Sequence, residues 1–261
     1  MKLNDSLEVP LTEEQVLDLI DRAGSPLTTC ALTPDICAIL NLADYCPDRQ
    51  GSLVLYMNGH NILCIKTPKQ IIMNAIYRTH LLSLMLPRVL LSEKHKTTSR
   101  RPLPVAFGRQ IYLPLGATRN GSPSFVAIHQ LEWAQQHVRQ PQCDFYFVGK
   151  CPALCLTYHH RDINAHISNA LAIGQEIWTC VQSIASQCGL INPHIPLSPL
   201  MRQWVERNPQ AKPDQARMLE LRDHLFLSLQ EFLTASTLIG PNKDRSHLAE
   251  IKHALRRLRG Y

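Results

Sequence analysis

"SLVLYMNGHNILCIK", Ser52 to Lys66, decides the fold class of this chain. Two apolar runs rich in strand-forming residues flank Asn58-Gly59. That pair is the strongest short hairpin signal available, because a two-residue turn that follows the strand twist needs φ > 0 at its centre. The same alternation of short apolar runs and turn residues continues outward. Upstream lies "DICAIL" (35–40). Downstream lie "LPVAF" (103–107), "IYLPL" (111–115), "SFVAIHQL" (124–131), "CDFYFVGK" (143–150) and "ALCLTYHH" (153–160). "IYLPLGATRNGSPSFVAIHQL" itself reads as two paired strands split by a Gly/Asn/Ser turn.

Helical signals frame these strands. Thr12 with Gln15 has the form of a capping box, Val16, Leu17, Leu19 and Ile20 supply an apolar stripe, and Gly24 and Pro26 end it. Gln70–Leu91 is a second helical candidate, its aliphatics too dense for an exposed face and Pro87 bending or closing it. Helical patterning resumes at Ile163, and Pro193, Pro196 and Pro199 mark a boundary near residue 190. The expected fold is α+β: an antiparallel, strand-rich central core with flanking helices and a helical C-terminal extension. Its expected parts are an acidic N-terminal helix segment (1–27), a strand-rich core (28–190) and the extension (191–261).

Charge is segregated along the chain. Residues 1–50 hold three basic side chains (Lys2, Arg22, Arg49) against nine acidic ones, net −6, whereas residues 51–131 hold ten basic side chains against Glu93 alone, net +9. A one-signed middle of this kind is the electrostatic footprint of a polyanion, since each neutralised phosphate releases condensed counterions. The densest cations lie in "SEKHKTTSRR" (92–101). Lys94, Lys96, Arg100, Arg101, Arg109 and Arg119 are the expected DNA contacts, Arg100 and Arg101 entering a groove and the other four holding phosphates. A helix-turn-helix does not fit, because Gln70–Leu91 lacks a central Gly turn and a polar recognition face. A loop of Arg and Lys beside a sheet suits the minor groove, where Arg reads width and potential.

Enzymatic readings find little support. The sequence has no G-x-S-x-G, no P-loop and no G-x-G-x-x-G. Cys151, Cys155, His159 and His160 stand close in sequence, but a strand puts residues four apart about 13 Å from one another, too far for a shared zinc ion. The expectation is therefore a non-enzyme with no metal and no cofactor. Nine cysteines, an odd number scattered over a long chain, read as reduced thiols. The longest apolar candidate, Leu81–Leu91, is interrupted by Ser83, Pro87 and Arg88, so a soluble, cytoplasmic, nucleoid-associated protein is expected. RNA binding would need exposed stacking aromatics, and aromatic content is only 6%. A regulatory protein–protein adaptor or scaffold without nucleic-acid binding, using the acidic first 50 residues and the C-terminal helices, is the alternative.

The order of these motifs resembles the ComK family of competence transcription factors over roughly residues 28–190. Arg101, Pro104 and Val105 stand in the family's Lys-x-Pro-Ile-type segment, and Ile111, Tyr112, Leu113 and Pro114 in its aromatic strand. Ser122 and Ser124 fall in its Ser-rich turn, Phe125, Val126 and His129 in its histidine strand, and Val148-Gly149-Lys150 in its hairpin. Phe125 replaces the family's tryptophan, and its Gly-Ser-Tyr-x-Gly-Arg segment has no counterpart. The resemblance implies a divergent member that activates DNA-uptake genes from A·T-rich boxes through the minor groove, as a homodimer or higher homo-oligomer. It also implies RNA polymerase and a Clp-protease adaptor as partners.

Overall fold

A computed structural model describes residues 9–79, 104–107, 109–116, 121–159, 162–187 and 197–208. Among these the fold is α+β, with nine strands and four helices. Strands β1 (Ile36–Asn41), β2 (Ser52–Tyr56) and β3 (Asn61–Cys64) form an antiparallel meander. Its second turn is the expected hairpin: Gly59 has φ +83°, the Tyr56 N–H donates to His60 O at 2.9 Å, and Asn58 Oδ1 accepts from the His60 N–H at 2.9 Å. Strands β4 (Val105–Phe107), β5 (Gln110–Pro114) and β6 (Phe125–Ala127) form a second meander. β1 pairs antiparallel with β6, Ala38 opposite Val126, and the result is one six-stranded sheet of order β3-β2-β1-β6-β5-β4.

Both faces of this sheet are buried, which explains strands that read as nearly continuous apolar runs. The pleat sends Val54, Tyr112, Phe125 and Ala127 to one face and Leu53, Leu55, Ile111, Leu113 and Val126 to the other. On β1 a register shift between Ile36 and Ala38 lets Cys37 and Ala38 both join the second set. The first face is covered by helix α2 (Pro68–Thr79), through Ile71, Ile72 and Ile76. The expected helix Gln70–Leu91 is thus observed as far as Thr79, its remainder lying outside the described residues. Thr67 begins α2 with a second capping pair: its N–H donates to Gln70 Oε1 at 2.9 Å, and Pro68 occupies the first turn.

The second face is covered by a three-stranded antiparallel sheet, β7 (Leu131–Gln136), β8 (Gln142–Phe147) and β9 (Leu154–Thr157). A 3-10 turn, Ile128–Gln130, leads from β6 into β7. Helices α1 (Glu13–Arg22), α3 (Ile163–Gln187) and α4 (Pro199–Arg207) complete that core. Gln15 Oε1 accepts from the Thr12 N–H at 2.9 Å, and Val16 and Ile20 of α1 are 1% exposed, each contributing about 1.5–3 kcal/mol by burial. Ser198 Oγ accepts from the Met201 N–H at 3.3 Å to cap α4, Met201 enters the same core, and Trp204 Nε1 donates to Ser168 Oγ at 3.1 Å. Val16 and Ile20 of α1 and Met201 of α4 thus share one apolar cluster with the strands. Among the described residues, no helix is long and apolar enough to cross a membrane.

Candidate nucleic-acid interface

Antiparallel register fixes which chain segments share an end of the large sheet. β1 ends at Asn41, where β2 begins at Ser52, and Ser52 pairs with Cys64 at the end of β3. β6 begins at Phe125 opposite Pro114, the last residue of β5, and Val105 at the start of β4 faces Tyr112. One end of the sheet thus carries Lys66 and Lys69, the point where the chain enters β4 at buried Pro104, and the two stems, Gly116 and Gly121, of the β5–β6 connection. Lys94, Lys96, Arg100, Arg101 and Arg119 lie outside the described residues. The first four precede Pro104 in the chain, and Arg119 lies between Gly116 and Gly121.

Hydrogen bonds make this end rigid. Ser122 Oγ accepts from the Lys69 N–H at 2.9 Å, joining the β5–β6 connection to the first turn of α2. Ser124 Oγ accepts from the Asn41 N–H at 2.9 Å and donates to Asp44 Oδ2 at 3.0 Å. Desolvation raises the Asp44 pKa, and the bonds from Ser124 and Asn41 pull it back. Ser52 Oγ donates to Lys66 O at 2.6 Å, anchoring the backbone that carries Lys66. Lys69 is exposed and Lys66 half-buried. Both belonged to the basic middle of the sequence, yet nothing local distinguished them from other lysines. Their position follows only from the strand order.

Arg109 lies elsewhere. It turns the chain from β4 to β5, at the opposite end of the sheet, and its guanidinium carbon stands 4.9 Å from the Trp178 ring centroid on α3. Burial lowers its pKa. This contact joins α3 to the β4–β5 edge, and among the described residues Arg109 stands at the end of the sheet opposite Lys66 and Lys69.

His129 is likewise structural. It lies in the 3-10 turn rather than in a strand, Nδ1 accepts from the Ile111 N–H at 3.1 Å, and Nε2 donates to Pro34 O at 3.0 Å. Nδ1 also lies 3.2 Å from Ile111 O. Desolvation lowers the His129 pKa to about 4 against the hydrogen bonds to Ile111 and Pro34, which leaves the ring neutral near neutral pH. The Tyr112 ring meets it edge-on, centroids 5.1 Å apart.

A cleft of about 820 Å³ opens beside the cationic end. Glu13, Glu14 and Asp44 line one part of it, and Leu115, Gly116, Pro123 and Ser124 another, so the stem of the connection that carries Arg119 rises from an acidic rim. Asp18 and Asp21 of α1 pair with Arg22 at 3.8 Å and Arg49 at 3.4 Å, all exposed and weak. Glu13 and Glu14 are exposed on the first turn of α1. Comparison of the chain with protein-family models, curated proteins and solved structures finds no match.

Proposed function

We propose that this protein is a DNA-binding transcriptional activator of competence genes, reading A·T-rich sites through the minor groove with the basic segment that leads into β4. The observation that carries the reading is the convergence at one end of the large sheet of Lys66, Lys69, the entry to β4 and the stems of the Arg119 connection. A rigid sheet end bearing several cations gives phosphates a fixed register, while a basic segment attached there can follow the groove. Arg100 and Arg101 read the groove in this proposal. Lys94, Lys96 and Arg119, joined by Lys66 and Lys69, hold the backbone. A homodimer on paired boxes, recruitment of RNA polymerase and turnover through a Clp-protease adaptor extend the same reading, which needs neither catalysis nor a cofactor.

Fluorescence anisotropy on A·T-rich and G·C-rich duplexes tests it. With about six phosphates neutralised, affinity should fall by roughly 10³ between 50 and 200 mM salt. Arg100→Ala with Arg101→Ala should relax the A·T preference, and Lys94→Ala should weaken all duplexes alike. Binding that ignores salt would refute the proposal. The adaptor reading is favoured by the acidic cleft, which offers a surface to a cationic protein segment. Salt-independent behaviour toward DNA would leave it standing.

A further inference from the structure

The outward face of the small sheet holds a cluster of different chemistry. Cys143, Phe145 and Phe147 of β8 enter the core, so Asp144 points outward between them, and on β9 the inward pair Leu154 and Leu156 leaves Cys155 outward. Asp144 and Cys155 are register partners. His137 follows β7 directly, its N–H donating to Gln142 O at 3.0 Å, and its Nε2 stands 2.9 Å from Asp144 Oδ2. One ring nitrogen, one carboxylate oxygen and the Cys155 sulfur all lie within 4.8 Å of one another. Asp144 Oδ1 is buried and has no hydrogen-bond partner among the described residues.

We propose that His137, Asp144 and Cys155 form a binding site for a zinc-type divalent metal ion, with a fourth position open to water or a partner's side chain. A nitrogen, an oxygen and a sulfur donor together suit a borderline ion. Magnesium and calcium take oxygen donors, and copper(I) favours sulfur. Bonds of 2.0–2.3 Å in tetrahedral array separate ligand atoms by roughly 3.3–3.7 Å, so the observed cluster needs only small side-chain rotations. Each ligand comes from a different strand or its end, and hydrogen-bonded strands hold ligands more firmly than a loop. Cys155 also lines the 820 Å³ cleft, which gives the ion a route in.

The competing reading, a Cys-His-Asp nucleophile, fails on charge. Burial pushes the Cys155 thiol up to about 11, and the adjacent Asp144 carboxylate adds to the effect, the opposite of what activates a thiolate. A doubly charged ion reverses that balance. On binding, the thiol gives one proton to solvent and a metal–sulfur bond forms, and the His137–Asp144 contact is exchanged for a bond from each to the ion. No electron changes hands. The zinc set rejected from sequence, Cys151, Cys155, His159 and His160, was drawn from one short run of the chain, whereas this set is cross-strand.

Cobalt(II) titrated into the metal-free full chain is the direct test. One equivalent should bind with a sulfur-to-cobalt charge-transfer band and the visible bands of a four-coordinate ion, and zinc should displace it. Cys155→Ser should abolish the charge-transfer band, and His137→Gln and Asp144→Asn should each weaken binding at least about tenfold. Cys46→Ser, in a half-buried cysteine outside the cluster, should leave all of it intact. On the unmutated chain, zinc should protect Cys155 from alkylation as read by mass spectrometry and leave Cys46 reactive. A band that survives Cys155→Ser, or equal Cys155 alkylation with and without zinc, would overturn the proposal.

Discussion

Lowering the pH from 7.5 to 5 should cost this protein about 2 kcal/mol of stability through His129 alone. The folded imidazole has its pKa lowered to about 4, whereas an unfolded histidine titrates near 6.5. Because the folded value is depressed, the unfolded chain binds more protons between those two pH values. Stability is therefore complete above about 6.5 and falls as the pH drops toward 4. The whole difference, about 2.5 pH units, is worth roughly 3 kcal/mol, of which about 2 are lost by pH 5. The physical cause is desolvation: the ring is buried, and its hydrogen bonds to Ile111 and Pro34 only partly offset the cost of charging it there. Urea unfolding at the two pH values provides the assay. With a slope of 1–3 kcal/mol per molar, the midpoint should move by about 1 M. His129→Asn supplies the control, since its Oδ1 can still accept from Ile111 while Gln130 Nε2 already donates to Pro34 O at 2.6 Å. That variant should be less stable at pH 7.5 yet lose about 2 kcal/mol less than the parent on acidification. Equal losses in the two proteins would refute the argument.

Gly149→Ala should destabilise by about 2–4 kcal/mol in thermal or urea unfolding, because φ is +89° and a Cβ would stand 2.6 Å from Met57 O, the acceptor of the Lys150 N–H bond at 2.7 Å. Arg109→Ala should lower stability by about 1–2 kcal/mol through loss of its stacking on Trp178 and, under the DNA-binding proposal, leave DNA affinity unchanged; a lowered affinity at full stability would assign Arg109 to the proposed interface. Under the DNA-binding proposal, Glu13→Gln with Glu14→Gln should tighten DNA binding at about 50 mM salt and have little effect at about 200 mM, since exposed charges are screened beyond roughly 10 Å at 0.1 M. Unchanged anisotropy at low salt would remove the acidic rim from any restraining role.

Local signals carried much of the fold into view. Asn58-Gly59 announces its hairpin, the Val16/Ile20 stripe finds the core, and Ile111–Pro114 and Phe125–Ala127 pair as read. Strand β7 escaped because it covers a core with one face only: Glu132 and Gln135 are exposed, Leu131 alone is fully buried, and such a segment presents no apolar run. The joining of β1 to β6 has no local signature, being a matter of which edges are left once each meander has formed. The surroundings of Arg109 were hidden for a related reason. In sequence Arg109 is one more cation in a basic stretch, and its stacking on Trp178 depends on a long-range approach. His137, Asp144 and Cys155 come together solely by register, which no spacing rule encodes.

The central pairing of the large sheet has a consequence for biogenesis. Within each meander, contacts are between neighbours in the chain, and hairpins of this size close in about 1–10 μs. Ala38 and Val126, by contrast, meet only after everything between them has been made. At 5–20 residues per second a ribosome needs roughly 4–18 s to supply that interval. Throughout it β1, destined for the middle of the sheet, presents an open edge of unpaired N–H and C=O groups with apolar side chains, a template for wrong partners. The nascent chain is therefore most vulnerable to aggregation midway through translation. Slowing synthesis between α2 and β6 should lower the soluble yield more than the same pause placed after β9.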